Sequence, residues 1–113
     1  MLEIDKEGNR FWYSEEWQYH RIGGPAVERL SGYKEWFLNG KLHREDGPAV
    51  EWDNGKRCWY MNGELHRDDG PAIVYPNGTK CWYLNGQRHR EDGPAVEYGD
   101  GLKEYWVHGS RRR

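Results

Sequence analysis

The residues best suited to chemistry form a short cluster, His-Arg-x-Asp, that recurs along the chain. The three complete copies are His43, Arg44 and Asp46, then His66, Arg67 and Asp69, then His89, Arg90 and Asp92. A guanidinium offers a planar fork of donors, so a row of such clusters could hold phosphates or carboxylates. The Arg and His residues are therefore candidate binding residues, for a small anionic ligand or for a partner.

Recurrence of the cluster also supports a structural role. In this second interpretation the aspartate pairs with the arginine or caps the next turn, while the histidine hydrogen-bonds a neighbouring loop. Residues that specify a fold recur in every unit of a repeat protein, whereas a single active site does not. The aspartates and the glycines that follow them are interpreted as a structural repeat motif: Asp46, Asp69, Asp92, Gly47, Gly70 and Gly93.

The sequence predicts no metal centre, no cofactor and no catalytic constellation. His66 and Asp69 lie three residues apart, but a zinc site needs a closer set of mixed ligands. No Gly-rich phosphate loop, nucleophile elbow or paired-carboxylate motif is present. An enzyme would need a polar cluster that does not repeat, and only the irregular segment 14–19 and the C-terminal residues qualify.

The two cysteines, Cys58 and Cys81, occupy the same position in consecutive repeats. Equivalent strands in a meander of hairpins are two strands apart, which is about 9.5 Å. A disulfide needs Cα atoms within about 7 Å. We therefore expect free thiols, as in a reducing compartment, and no signal peptide is recognised before them.

These clusters belong to a repeat with a period of 23 residues. Gly-Pro-Ala follows each His-Arg pair, and Asn-Gly recurs at 39–40, 62–63 and 85–86, with His108-Gly109 as a degenerate copy. We predict a single repeat domain over 1–113. It comprises a degenerate N-terminal cap (1–19), units at about 20–42, 43–65, 66–88 and 89–110, and a basic tail (111–113).

Turn signals inside each unit predict strands. Pro48 to Trp52 leads into Asp-Asn-Gly, and the aromatic-rich segment 56–61 ends at Asn-Gly, both typical of hairpin turns. Leu65 to Gly70 is predicted to be a loop. Two short strands per unit give eight or nine antiparallel strands. The predicted fold is all-β: tandem 23-residue β-hairpin repeats that form one elongated, twisted antiparallel sheet.

Alternation along the strands assigns the two faces of this sheet. Val50 and Trp52 are assigned to the core with Trp59 and Met61, together with their equivalents in the other units. The second aromatic residue of each pair lies on the opposite face with the cysteines: Phe37, Tyr60, Tyr83 and Trp106. This aromatic ladder is interpreted as a second packing surface, a partner-binding face or an interface with another copy.

The run Asn39-Gly40-Lys41-Leu42-His43, the period and the turn glycine Gly55 resemble the MORN repeat, a β-hairpin repeat of similar length. Arg44, Arg67 and Arg90 stand where MORN units have glycine. The chain is therefore similar to MORN-variant repeats of uncharacterised phage and bacterial proteins. The resemblance implies a hairpin-repeat fold and functions in protein contacts, dimerisation or lipid association.

The composition and the net charge of the chain argue against two classes of function. Hydrophobic residues make up 35% of the chain and aromatic residues 15%, with a net charge of -2, so we expect neither binding to duplex nucleic acid nor a membrane span. We predict a non-enzymatic cytoplasmic module that binds a protein partner through the aromatic ladder and the Arg/His edge, and a homo-oligomer that hides its sheet edges. The alternatives are a phage anti-defence protein that sequesters a small anionic nucleotide signal in the bacterial host, and a small enzyme.

Overall fold

The computed structural model describes all 113 residues, which form β-strands and turns. The molecule is elongated, with extents of 50 × 26 × 19 Å, and contains no helix that could cross a membrane. In chain order the strands are β1 (Leu2–Ile4), β2 (Arg10–Trp12), β3 (Val27–Glu28), β4 (Lys34–Glu35), β5 (Phe37–Leu38), β6 (Lys41–Leu42), β7 (Val50–Glu51), β8 (Arg57–Cys58), β9 (Tyr60–Met61), β10 (Glu64–Leu65), β11 (Ile73–Val74), β12 (Lys80–Cys81), β13 (Tyr83–Leu84), β14 (Gln87–Arg88), β15 (Val96–Glu97), β16 (Lys103–Val107) and β17 (Ser110–Arg112).

Eleven of these strands form one long sheet, in the order β1-β2-β3-β4-β7-β8-β11-β12-β15-β16-β17. All pairings are antiparallel. The remaining strands form three small hairpins, β5–β6, β9–β10 and β13–β14. The predicted all-β architecture of tandem hairpin repeats is confirmed.

The strands are more numerous and shorter than predicted. The segment 56–61 divides at Trp59 into β8 and β9, because the chain leaves the long sheet there to form a separate hairpin. Leu65, predicted to begin a loop, instead closes that hairpin by pairing with Tyr60. Arg111 and Arg112, predicted to be tail residues, lie in β17 and are exposed.

The small hairpins stack on one another through backbone hydrogen bonds. The amide of Arg67 donates to the carbonyl of Tyr83 at 3.2 Å, and the amide of Gly86 donates to the carbonyl of Leu65 at 2.9 Å. Their Asn-Gly turns have positive φ, as at Asn62 (50°) and Gly63 (84°), a region in which Asn and Gly are tolerated. The hairpins therefore form a second wall beside the long sheet.

The core lies between the long sheet and this second wall. Val50, Cys58, Ile73, Cys81 and Val96 form a buried cluster in the sheet. Four side chains of the small hairpins pack against it, Leu42, Tyr60, Leu65 and Tyr83, as does Trp106 of β16. The molecule is thus held together by hydrophobic contacts between neighbouring units.

The predicted assignment of faces was wrong for the second strand of each unit. Val50 pairs directly with Cys58, and residues opposite each other across an antiparallel pair share a face. Cys58 and Tyr60 therefore face the core with Val50, whereas Trp59 and Met61 lie on the other face. The aromatic ladder packs inward, and the tryptophans that were assigned to the core line the outer face of the sheet.

The two cysteines are free, as predicted, and both are buried, with Ile73 between them in the register. Burial raises the pKa of both thiols above its ordinary value, which disfavours the nucleophilic thiolate.

We expect the two thiols to react with Ellman's reagent about 100-fold more slowly in the native protein than in urea, equivalent to an opening free energy of ~2.8 kcal/mol. Equal rates in the two conditions would show that the thiols are accessible in the native state.

Candidate functional site

The outer face of the long sheet carries a row in which tryptophan alternates with alanine. The register that pairs Ile73 with Cys58 and with Cys81 continues by one residue and places Ala72 between Trp59 and Trp82. The amide of Trp59 donates to the carbonyl of Ala72 at 2.7 Å. Ala49, Ala72 and Ala95 have no exposed surface. The small side chains leave room for the large indoles beside them.

Each arginine of the repeated cluster lies over one of these indoles. The guanidinium carbons of Arg44, Arg67 and Arg90 are 3.9, 3.9 and 4.0 Å from the ring centroids of Trp36, Trp59 and Trp82. This is the geometry of a cation–π contact. A fourth pair, Arg21 over Trp12, has a distance of 3.8 Å.

The same guanidiniums are also hydrogen-bonded within their own loops. Arg67 Nη1 donates to the carbonyl of Pro71 at 3.1 Å, and Nε donates to Asp69 at 3.1 Å. Arg44 and Arg90 make the equivalent bonds, and each adds a bond to a strand glutamate. A Cβ on Gly70 would lie 3.0 Å from the Arg67 guanidinium carbon, so this glycine permits the close approach.

Each histidine of the cluster caps the turn of a hairpin 19 residues later. Nδ1 of His66 accepts the backbone amide of Asn85 at 3.0 Å, and His43 accepts that of Asn62 at 3.0 Å. An accepting Nδ1 leaves the proton of a neutral imidazole on Nε2. That nitrogen contacts Asp68 at 3.0 Å in one unit and Glu45 at 3.2 Å in the preceding one.

Successive His-Arg loops enclose three equivalent grooves along this face. Groove 1 lies over Trp36 and Leu38, groove 2 over Trp59 and Met61, and groove 3 over Trp82 and Leu84. Their volumes are similar, about 690, 610 and 660 Å³. The repeat therefore produces a row of binding-sized cavities with an indole on each floor.

The rims of grooves 2 and 3 are acidic. Four carboxylates and two guanidiniums line groove 2, and the same numbers line groove 3. The carboxylates project outward, with 77 to 88% of each side chain exposed, whereas the arginine side chains are only 23 to 26% exposed. Groove 1 differs, because Ile22, which is 84% exposed, and Gly23 replace two of the acidic residues.

The predicted site residues therefore fall into two groups. The Arg and His residues border the grooves, but their donor and acceptor groups are directed to contacts within the chain: Arg44, Arg67, Arg90, His43, His66 and His89. The aromatic ladder packs inward: Tyr60 and Tyr83 of the second wall and Trp106 of β16 pack on the core, and Phe37 packs on Tyr19 with ring centroids 5.2 Å apart.

Neither the floor nor the rim of the grooves was predicted from the sequence. Trp36, Trp59 and Trp82 were assigned to the core. The variable residue of His-Arg-x-Asp was passed over, although it is acidic in three units: Glu45, Asp68 and Glu91. That shared charge was the available signal.

One polar cluster on this side of the molecule does not repeat. Ligand atoms of His89, Glu91 and His108 lie within 4.8 Å of one another, and the two imidazole centroids are 4.2 Å apart. The signal in the sequence was His108, which stands where the other units have Asn.

A scan of the sequence against protein-family models gives no match, and a search of curated proteins gives none either.

Proposed function

We propose that the chain is a non-catalytic binding module that holds an extended segment of a protein partner along grooves 1 to 3. The regular recurrence of one groove design, with an indole floor and a carboxylate rim, carries this proposal. Each unit advances by two strands, so neighbouring grooves are about 9.5 Å apart, close to three residues of extended chain at ~3.3 Å per residue.

The exposed charges favour a basic segment. Because the guanidiniums are covered by indoles and bonded to proline carbonyls and aspartates, carboxylates dominate the outward surface of grooves 2 and 3. Complementary charge steers association and fixes register. We propose Arg or Lys at every third position of the partner segment. Ile22 beside Trp36 and Leu38 suits an apolar side chain in groove 1.

Two features support membership of a MORN-variant family as part of this proposal: the stacked hairpins and their Asn-Gly turns. The aromatic ladder is not assigned a binding role, since its side chains pack inward. Sequestration of a small anionic nucleotide is disfavoured by the same carboxylates that favour a basic segment.

A peptide titration tests the proposal. The probe has one Leu followed by two Arg at three-residue intervals, separated by Ser and Thr, and is prepared in both sequence directions. We expect saturable binding by calorimetry for one direction, weakening as salt rises because exposed charges are screened. A peptide with Glu in place of Arg, and a cyclic dinucleotide, serve as comparisons. Tighter binding of either comparison would overturn the basic-segment proposal.

A charge-matched pair of variants locates the surface. Glu45→Gln/Asp68→Asn/Glu91→Gln removes one carboxylate from each cluster and leaves the Arg–Asp pairs intact. The three carboxylates contribute ~0.5 kcal/mol each. Their removal costs about 1.5 kcal/mol of binding free energy, so we expect about tenfold weaker peptide binding. The control, Glu3→Gln/Glu7→Gln/Glu16→Gln, removes the same charge from exposed positions away from the grooves. Equal losses in both variants would contradict the assignment of the grooves.

A further inference from the structure

We propose that His89, Glu91 and His108 bind one divalent transition-metal ion of the Zn²⁺ class. Metal binding is a function beyond the proposed partner binding, although His89 and Glu91 also line groove 3. Two imidazoles and one carboxylate are a recurring ligand set for zinc, with the fourth position left to water or a ligand. Imidazole ligands suit Zn²⁺, whereas Mg²⁺ and Ca²⁺ prefer oxygen ligands throughout.

The position of the cluster separates it from the repeated framework. In the first three units the hairpin turn begins with Asn39, Asn62 or Asn85, whereas in the fourth it begins with His108. All four residues have the same left-handed backbone, with φ between 49° and 50°. The fold therefore does not require His at this position, and its imidazole makes no hydrogen bond.

The histidine beneath it is also different from its equivalents. The side chain of His89 is 7% exposed, close to the 9% of His43, but its contact with the acidic residue differs. Its Nε2 lies 3.7 Å from Glu91, too far for the hydrogen bond that His66 and His43 make at 3.0 and 3.2 Å. A largely buried imidazole thus has an Nε2 without a hydrogen-bond partner, and the centroid of its ring lies 4.2 Å from that of His108.

Little movement is needed to close the site. Metal–ligand distances of about 2.0–2.2 Å put tetrahedral ligands roughly 3.4 Å apart, against 4.8 Å or less between the three ligand atoms. Glu91 and His108 are exposed, and their side chains can approach Nε2 of His89 without disturbing the core.

Coordination exchanges one hydrogen bond for a metal bond. Nδ1 of His89 accepts the amide of His108 at 2.9 Å, so its neutral ring holds a proton on Nε2. Metal binding to Nε2 moves that proton to Nδ1, where it displaces the amide of His108. The ring remains neutral, and the only backbone group that loses its partner is this amide.

Calorimetric titration with ZnCl₂ tests the proposal. We expect one equivalent to bind the wild-type chain and MgCl₂ not to bind at that site. His108→Asn restores the residue of the other three turns, so the fold is retained. Loss of a hydrogen-bonded outer partner weakens metal binding about 10–100-fold, and we expect removal of this ligand to weaken it by at least about 100-fold. Wild-type affinity in His108→Asn, or no zinc binding to the wild type, would overturn the proposal.

A transplanted ligand and an amide signal give independent readouts. Asn62→His places an imidazole opposite His43 and Glu45, the same pair as His89 and Glu91, and should raise the stoichiometry from one zinc ion to two. In proton–nitrogen correlation spectra of the wild type, zinc should shift the amide of His108 and leave those of Asn39, Asn62 and Asn85 unchanged. A stoichiometry that stays at one, or equal shifts at all four amides, would contradict the three-ligand site.

Discussion

Replacement of Arg67 by alanine should lower the free energy of unfolding by about 2–4 kcal/mol. The change removes the cation–π contact with Trp59, worth about 0.5–2 kcal/mol. It also leaves the half-buried carbonyl of Pro71 without its donor, which costs about 1–3 kcal/mol. Urea unfolding followed by circular dichroism measures the loss.

Two companion variants separate the causes. Arg67→Lys keeps the charge but loses the planar fork, so we expect a loss between those of alanine and the wild type. Arg112→Ala removes an exposed guanidinium that makes no hydrogen bond or ion pair, and should stay within about 0.5 kcal/mol. If Arg67→Ala were as stable as Arg112→Ala, the arginine row would not be structural, and an anion-binding role would regain support.

Ala72→Leu should destabilise the fold by about 3 kcal/mol. Ala72 has no exposed surface and lies between Trp59 and Trp82 in the sheet register. Added methyl groups have no space between the two indoles, and overpacking of this kind costs about 1–3 kcal/mol. The upper part of that range applies because the backbones on both sides are hydrogen-bonded and cannot separate. Thermal and urea unfolding both measure the effect.

The control for this variant is Lys80→Leu. Lys80 is exposed on the next strand of the same sheet, one residue before Cys81, and leucine there meets solvent rather than indoles. We expect a change within about 0.5 kcal/mol. Comparable losses in Ala72→Leu and Lys80→Leu would mean that leucine itself, and not the Trp–Ala row, accounts for the effect.

The 23-residue period, the antiparallel hairpins and the free thiols were predictable because each depends only on the spacing of residues along the sequence. A 23-residue repeat with turn signals specifies hairpins, and equivalent positions in such a meander are too far apart for the disulfide between Cys58 and Cys81.

Which side chains of the second strand face the core could not be predicted from alternation alone, because the length of the preceding turn also decides it. The three-residue loop 53–55 pairs Val50 with Cys58. A loop one residue longer would pair Val50 with Trp59 and bring both onto the core face, as the sequence interpretation assumed. A shift of one residue in register exchanges the faces of an entire strand.

The grooves were missed for a related reason. Arg67 lies eight residues after Trp59, a separation with no significance in a straight strand. The two side chains meet because the hairpin β9–β10 reverses the chain between them. Because the guanidinium of Arg67 packs on the indole of Trp59, the exposed charge at the groove comes from the neighbouring carboxylates.

The histidine caps give the array a direction. Each accepting imidazole precedes the amide that it caps by 19 residues, so during synthesis the acceptor leaves the ribosome before its donor. When the turn of a new hairpin emerges, the preceding unit is therefore already synthesised, and its histidine is available to accept the amide of that turn. The protein can consequently fold one unit at a time in the order in which it is made, and its longest segment without a docking surface is about one repeat.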